Sequence, residues 1–134
     1  LRIVDSDATR AADLARGALA RYPDRTIVAV ASAREALTGA SGVINATPIG
    51  MAKLPGTPFD PALLEPRQWV ADCVYRPIDT ALLQAARARG CATVDGGGMA
   101  VGQAVDAFRL FTGLAPDAAR MARSFAALIA AERG

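Results

Sequence analysis

The nine residues Val43–Met51 (VINATPIGM) combine a short apolar run with polar side chains and free backbone groups that could face a ligand. The apolar run is typical of a strand, and Pro48 must end it because proline has no N–H to donate to a neighbouring strand. Pro48 also favours an extended conformation at Thr47, and Gly50 allows a turn that a β-carbon would obstruct. The stretch is either an ordinary strand-to-loop exit or one edge of a ligand site.

Asp5 ends the first apolar run (LRIVD), just before a pattern that predicts a helix. In a dinucleotide-binding fold, an acid at this place accepts hydrogen bonds from the adenosine ribose and would repel a 2′-phosphate. We therefore expect Asp5 to bind ribose and to select NAD over NADP. The alternative role, a helix N-cap, fits Asp7 better. Arg10 either contacts the adenosine end of the cofactor or is an ordinary surface arginine.

A run of three glycines precedes a second predicted helix in Asp95–Gln103 (DGGGMAVGQ). Such a turn lets the backbone approach a ligand, although a glycine run alone is a weak signal. One face of this helix holds Met99, Gln103, Ala107 and either Leu110 or Phe111. An amide in an apolar stripe needs partners. Gln103 is thus a buried glutamine that the backbone satisfies or, as we prefer, a residue that binds a ligand hydroxyl.

Two other side chains could take part in ligand binding or catalysis, Tyr75 and Lys53. Tyr75 follows Asp72 at a predicted strand end and is either a half-buried core aromatic or a hydrogen-bonding ligand residue. Lys53 is the only lysine, and we expect a solvent-exposed loop residue rather than a catalytic one. The chain has no histidine, which excludes imidazole as a general base.

The composition indicates one domain of 134 residues with 52% hydrophobic residues and a net charge of +2, which favours neither disorder nor nucleic-acid binding. Cys73 and Cys91 have no C-x-x-C spacing and no histidine partner, so we expect no metal site and two buried free thiols. The sequence shows no signal peptide and no apolar stretch of membrane-spanning length. These features predict a cytoplasmic protein that does not bind membranes.

Strand and helix patterns alternate along the chain. The predicted strands are residues 1–5, 26–30, 43–45, 69–75 and 91–94. The predicted helices follow caps at Ser6 or Asp7, at Ser32 and at Asp79 or Thr80, and two more cover about 98–112 and 116–132. This order predicts an α/β fold, a Rossmann-like doubly wound parallel sheet with two closing C-terminal helices. Ligands bind at the carboxyl ends of such strands, where Asp5, Asn45, Tyr75 and Gly96 should gather.

One part of such a fold is not in this sequence. The Gly-rich turn that cradles a pyrophosphate precedes a strand that ends in an acid, and residue 1 lies inside that strand. In the strand order 3-2-1-4-5-6 the absent first strand would be central, and its loss would leave two long open edges. We hypothesise that residues 1–134 are the C-terminal part of an NAD-binding domain in a longer polypeptide.

Three stretches together resemble the nucleotide-binding domain of the shikimate dehydrogenase family. NATPIGM at 45–51, DCVYRPIDTALL at 72–83 and DGGGMAVGQAVDAFRLFTG at 95–113 follow that family's order and spacing. The resemblance extends from residue 1 to about 125. NADP-using members typically have Asn-Arg-Thr or Asn-Arg-Ser where this chain has Asp5-Ser6-Asp7. The chain is therefore most similar to the NAD-dependent quinate/shikimate dehydrogenases.

The resemblance implies a cofactor role for ten residues. They are Asp5, Arg10, Asn45, Ala46, Thr47, Pro48, Cys73, Val74, Gly96 and Met99. Asp5 and Arg10 would hold the adenosine end, and the 45–48 stretch would line the path to the nicotinamide. Cys73 or Val74, together with Gly96, would contact the nicotinamide end through the backbone, with a methionine side chain packed beside it.

The resemblance also implies a reaction, reversible hydride transfer between NAD and the secondary alcohol of quinate or shikimate. Tyr75 and Gln103 would reach this cyclic hydroxy acid. The family's catalytic Lys and Asp belong to an N-terminal substrate domain outside this sequence, and Lys53 does not match that Lys. Two alternatives stay open: an NADP-dependent shikimate dehydrogenase of aromatic biosynthesis, and a non-catalytic ligand-sensing domain of the same fold.

Overall fold

The computed structural model describes residues 1–131. The chain folds into two compact units, unit 1 (Leu1–Ser41) and unit 2 (from Gly42 onward). The elements of unit 1 are β1 (Arg2–Ile3), α1 (Ala8–Arg21), β2 (Val28–Ala29) and α2 (Ala33–Leu37). The strands β1 and β2 are parallel, with Arg2 opposite Val28. A strand–helix–strand unit with parallel pairing is the building block of the expected fold.

Helix α1 begins where the sequence predicts. The carboxylate of Asp7 accepts hydrogen bonds from the N–H groups of Thr9 and Arg10, at 2.9 and 3.2 Å. These are two of the donors that a helix start leaves without an intrahelical partner. Ala11 and Ala15, one turn apart, are the buried residues of this helix. The N-cap assigned to Asp7 is confirmed, which leaves Asp5 available for another role.

Unit 2 is built on a parallel sheet. Its elements are β3 (Gly42–Asn45), a short 3-10 helix (Pro61–Leu63), β4 (Trp69–Asp72), α3 (Ala81–Ala88), β5 (Ala92–Val94), α4 (Gly97–Thr112) and α5 (Ala118–Ala131). The strand order is β3-β4-β5, all parallel. This is the order 4-5-6 of the expected sheet, and β1 beside β2 matches its 2-3 pair. The Rossmann-like α/β fold is confirmed, and no helix among the described residues is long and apolar enough to cross a membrane.

The core of unit 2 lies between α3 and the strands β4 and β5. Leu82, Leu83 and Val70 are at most 1% exposed, and each such side chain contributes about 1.5–3 kcal/mol on burial. Thr80 caps α3 by accepting from the N–H of Leu83, and Gly90 has the positive φ that ends a helix. The sequence predicted a cap at Asp79 or Thr80, and the structure places it at Thr80.

Strand β4 is shorter than the predicted 69–75 segment and ends at Asp72. The N–H of Cys73 still bonds to the carbonyl of Asn45, at 2.9 Å. The next N–H, of Val74, turns to the carboxylate of Asp72 instead, which ends the ladder. Cys91 is buried and Cys73 is half-buried, so the expectation of two buried thiols holds for one of them.

The face of α4 that carries Gln103 is not buried, contrary to the expected apolar stripe. Gln103 is exposed, and Leu110 and Phe111 are 81% and 88% exposed. Another face of α4 packs against α5, since Val101 lines the groove between these helices with Phe125. The buried-glutamine interpretation of Gln103 is therefore wrong. The predicted end of α5 at residue 132 lies outside the described residues.

Candidate functional site

Asp5 of unit 1 follows β1, and its carboxylate accepts hydrogen bonds from the two residues that follow it in the chain. Its Oδ1 atom accepts hydrogen bonds from the N–H of Asp7, at 2.9 Å, and from the hydroxyl of Ser6, at 3.2 Å. The guanidinium of Arg10 lies 3.5 Å from the same oxygen. Within residues 1–131, the second oxygen, Oδ2, accepts no hydrogen bond, so it is available to an external donor.

The pKa of Asp5 lies below its ordinary value. The hydrogen bond from the N–H of Asp7 is the largest cause. Desolvation acts against it, and the Arg10 charge and the Ser6 hydroxyl lower the pKa further. Asp5 is therefore ionised at neutral pH. The side chain of Arg10 is 69% exposed and also lies 3.8 Å from Asp7, as in the surface-arginine interpretation, and its contact with a cofactor stays a prediction.

In unit 2, the carboxyl ends of β4 and β5 meet at Gly96. A β-carbon on Gly96 would lie 2.7 Å from the carbonyl oxygens of both Cys73 and Val74. That distance is shorter than side-chain carbons tolerate, so only glycine permits the approach. The structure thus brings together Cys73, Val74 and Gly96, the residues expected at the nicotinamide end.

The loop after β3 is organised by Asn45, which is 2% exposed. Its Nδ2 donates to the carbonyl of Ile49, at 3.0 Å, and to Oδ1 of Asp72, at 2.9 Å. Its Oδ1 accepts from the N–H and the hydroxyl of Thr47, at 3.0 and 2.7 Å. The amide of Asn45 is therefore fully engaged inside the protein, and its predicted cofactor contact would have to come from its backbone.

The loop that Asn45 holds carries the other predicted wall residues. Ala46 and Pro48 are exposed and Thr47 is half-buried. The hydroxyl of Thr47 also accepts from the N–H of Ile49, at 3.2 Å. Ala46 and Pro48 thus present small apolar groups to solvent, while the polar groups of the loop bond inward.

Asp72 and Thr80, which the sequence analysis did not assign to the site, also belong to this edge. Asp72 is 3% exposed, and its Oδ1 accepts from Asn45 and from the N–H of Val74, at 2.9 and 3.0 Å. Its Oδ2 accepts from the hydroxyl of Thr80, at 2.7 Å. The signal that could have pointed to Asp72 is an acid within the apolar run WVADCV, two residues after the buried Val70.

Tyr75 lies at the same sheet edge and is 42% exposed. Its ring packs against that of Phe125 from α5, with centroids 6.4 Å apart and a tilt of 59°. Phe125, with Asp95 and Gly97, also lines a cavity of about 620 Å³ beside the start of α4. On α4, Met99 and Gln103 are both exposed. Phe125 therefore contributes both to the ring contact with Tyr75 and to the lining of this cavity, and the sequence analysis did not predict either role.

Lys53 is exposed, so the expectation of a solvent-exposed loop lysine is confirmed. It lies in the turn between Met51 and Leu54, which form an isolated antiparallel bridge. The hydrogen bond from the N–H of Gly50 to the carbonyl of Leu54, at 2.8 Å, closes this turn. The positive φ of Gly50, 109°, fits the turn that the sequence predicted at this glycine.

Comparison with known proteins agrees with these features. Residues 96–124 match the family described as the Shikimate 5′-dehydrogenase C-terminal domain. The chain is 52% identical over 134 residues to the shikimate dehydrogenase (NADP(+)) of Arthrobacter sp. (strain FB24), covering 98% of this chain and 46% of that protein. The chain belongs to the shikimate dehydrogenase family. The resemblance of its motifs to that family is confirmed.

Two further relatives connect the chain to the quinate-using members of this family. It is 51% identical over 131 residues to the quinate/shikimate dehydrogenase (NAD(+)) of Corynebacterium efficiens, covering 96% of this chain and 46% of that protein. The solved quinate dehydrogenase from Corynebacterium glutamicum in complex with NAD matches with a TM-score of 0.84 and 48% identity, over 95% of this chain and 46% of that one. The chain thus spans less than half the length of these relatives.

Proposed function

We propose that this chain is the cofactor-binding part of an NAD-dependent dehydrogenase that interconverts quinate with 3-dehydroquinate and shikimate with 3-dehydroshikimate. In this proposal residues 1–134 form the C-terminal part of an NAD-binding domain, and an N-terminal substrate domain completes the enzyme. The share of the relatives that the chain covers, 46%, supports this division. The observation that carries the choice of cofactor is the carboxylate of Asp5.

The chemistry of Asp5 fits an adenosine ribose without a phosphate. Its Oδ1 is fixed by the Asp7 N–H, and its Oδ2 is available to the two ribose hydroxyls. Hydrogen bonds to a charged acceptor contribute about 1.5–3 kcal/mol. A 2′-phosphate would remove one of these donors and bring negative charge against a carboxylate that is ionised at neutral pH. The charge of Arg10 is shared between Asp5 and Asp7, which limits what it could offer a phosphate.

Unit 2 would serve the nicotinamide end and the substrate. The close backbone approach at Gly96 and the small exposed groups of Ala46 and Pro48 suit contact with a flat ring. Tyr75 and Gln103 offer an exposed phenol and an exposed amide that would bind the hydroxyls and carboxylate of the substrate. When bound, NAD accepts the hydride from the secondary alcohol.

The proton that leaves the alcohol needs a general base. The resemblance to the family assigns that role to a lysine outside residues 1–134. What this chain supplies is therefore binding, orientation and the exclusion of water around the cofactor. We expect no turnover from this chain without the substrate domain.

The decisive experiment measures kcat/KM for NAD and NADP, with quinate and with shikimate, in the full-length enzyme. We expect a preference for NAD, and at least a tenfold fall in kcat/KM for NAD in Asp5→Asn because one charged acceptor is lost. Asp13→Asn is the matched control, since Asp13 is a surface acid of the same unit paired with Arg16 at 3.0 Å. A wild-type preference for NADP, or an Asp5→Asn variant as active with NAD as wild type, would refute the proposal.

An NADP-dependent shikimate dehydrogenase is the second candidate. The NADP-named relative from Arthrobacter, at 52% identity, favours it, and so does the exposed guanidinium of Arg10 beside Asp5. In that case Arg10 would bind the 2′-phosphate, and Arg10→Gln would lower kcat/KM for NADP far more than for NAD. The same set of measurements separates the two candidates.

A further inference from the structure

We infer that Asp72 is a positioning residue that holds the cofactor-facing edge of unit 2 in its binding conformation. This inference rests on the proposed function, because it assigns the edge formed by residues 45–48, 73–75 and 96 to cofactor binding. Asp72 itself is buried and would touch no ligand. Its effect would pass through the groups that donate to it.

The carboxylate of Asp72 collects donors from three separate segments. Asn45 donates to it from the end of β3, the N–H of Val74 from the exit of β4, and the hydroxyl of Thr80 from the start of α3. A buried carboxylate is costly unless its oxygens are hydrogen-bonded. These three donors satisfy it, and hydrogen bonds to a charged acceptor are the stronger kind. Asp72 therefore fixes the positions of the three segments relative to one another through hydrogen bonds to a single carboxylate.

Two of these donors set the shape of the edge directly. Asn45 is the residue that orders the 45–49 loop through Thr47 and Ile49. Val74 is held on its N–H side by Asp72, while its carbonyl faces Gly96 at the closest approach of the two strand ends. Loss of the carboxylate would remove the hydrogen bonds that hold both the loop and this peptide group.

Gln68 provides a matched control for this role. It precedes the amino end of β4, whereas Asp72 ends that strand at the carboxyl side. Gln68 is 1% exposed, and its Oε1 accepts from the N–H of Glu65, at 2.9 Å. Substitution of either residue removes a buried polar group next to the same strand. Only Asp72 lies at the proposed cofactor edge.

The first measurement needs no cofactor. Amide hydrogen exchange in the full-length protein should show exchange at Val74 and Thr47 accelerated about tenfold or more in Asp72→Asn and Asp72→Ala, because their local anchor is weakened. Gln68→Ala should leave these two amides at the wild-type rate. Unchanged exchange at Val74 and Thr47 in a folded Asp72→Ala protein would overturn the inference, whatever the enzyme turns out to oxidise.

The second measurement is the Kd for whichever of NAD and NADP the wild type prefers, determined by calorimetry. We expect Asp72→Ala to raise this Kd about tenfold or more, and Gln68→Ala to leave it within twofold of wild type. An equal increase in the two variants would mean a merely structural role and would overturn the inference. Failure of the proposed function would appear elsewhere, as absent turnover or as NADP preference in the wild-type enzyme.

Thr80 keeps the inference testable if the Asp72 variants do not fold. Thr80→Val removes the donor to Oδ2, whereas Thr80→Ser keeps a hydroxyl at the same place. We expect a raised cofactor Kd and faster exchange at Val74 in Thr80→Val, and near wild-type values in Thr80→Ser. Wild-type values in both variants would overturn the inference.

Discussion

The carbonyl oxygen of Val74 lies only 2.7 Å from the position that a β-carbon on Gly96 would take. The exits of β4 and β5 therefore meet backbone to backbone. The obstructing atoms are main-chain oxygens, which cannot rotate away as a flexible side chain could. A glycine at position 96 is thus a requirement of the sheet edge itself.

Gly96→Ala should destabilise the protein and weaken cofactor binding together. Overpacking of this kind costs about 1–3 kcal/mol, because the backbone of one strand exit has to move. The same movement displaces Cys73 and Val74 from the proposed nicotinamide contact. Chemical denaturation measures the first effect, and calorimetric titration with NAD measures the second.

Gly98→Ala is the control for Gly96→Ala. Gly98 lies two residues further on, within α4, and a β-carbon there would meet no atom within 4 Å. Alanine is the better helix former, so this variant should be as stable as wild type or up to about 1 kcal/mol more stable. If the two variants lost the same free energy of unfolding, the close approach at Gly96 would not be the cause.

The fold was predictable because its signals are local. The cap at Asp7 and the order of strands and helices each depend on a few neighbouring residues. The environment of Gln103 was not predictable in the same way. A helical repeat of apolar residues defines a face, but which face is covered depends on the partner helix, and in unit 2 α5 packs elsewhere on α4.

The same distinction between local and long-range signals applies to the candidate site. Asp5 and Gly96 were identified because each follows a predicted strand in a recognisable order, and the structure places each two residues after the end of a strand. The role of Asp72 depends on a hydrogen bond to Asn45, 27 residues earlier, which no local pattern reveals. The sequence likewise gave no reason to pair Tyr75 with Phe125, since their contact exists only after α5 has packed.

Asn45→Asp should make the stability of the protein fall as pH rises. The new carboxylate would face Oδ1 of Asp72 at the 2.9 Å that now separates donor and acceptor. Two buried carboxylates so close cannot both ionise at low cost, so one of their pKa values rises in the folded protein. A raised folded pKa means that stability is present at low pH and lost as pH rises through that pKa. We expect a loss of about 3 kcal/mol at neutral pH, measured by denaturation between pH 4 and 8.

The double variant Asn45→Asp with Asp72→Asn tests whether charge repulsion causes this loss. It restores one acid and one amide to the pair, so part of the stability at neutral pH should return. The steep decline with rising pH should disappear as well. A double variant that is less stable than both single variants at neutral pH would show that the fixed orientation of Asn45, rather than repulsion, dominates.

The carboxyl of Asp5 should titrate below the ordinary aspartate range, which centres at about pH 4. A lowered folded pKa means that the interactions of the charged form are complete above that range and are lost as pH falls through the folded pKa. NAD affinity should therefore stay constant from neutral pH down to about pH 5 as far as Asp5 is concerned. Carbon-detected NMR titration of Asp5 in the folded protein measures the midpoint.

Substitution of Arg10 separates the causes of that lowered pKa. The hydrogen bond from the Asp7 N–H is the largest cause, so Arg10→Gln should raise the midpoint of Asp5 only in part. Arg16→Gln, which removes a cation from the same helix that pairs with Asp13, should leave the midpoint unchanged. A full return of Asp5 to the ordinary range in Arg10→Gln would mean that the ion pair, not the turn, controls its charge.

Tyr75→Phe isolates the hydroxyl that we propose for substrate binding. The ring contact with Phe125 is kept, so the free energy of unfolding should remain within about 0.5 kcal/mol of wild type. The KM for quinate and shikimate in the full-length enzyme should rise about tenfold or more, because a hydrogen bond to a charged substrate is lost, while the Kd for NAD is unchanged. Tyr22→Phe, which alters the exposed tyrosine that follows α1, is the control and should leave KM unchanged. If Tyr75→Phe instead raised the Kd for NAD and left KM for the hydroxy acid unchanged, Tyr75 would belong to the cofactor site, and substrate recognition by unit 2 would depend on Gln103.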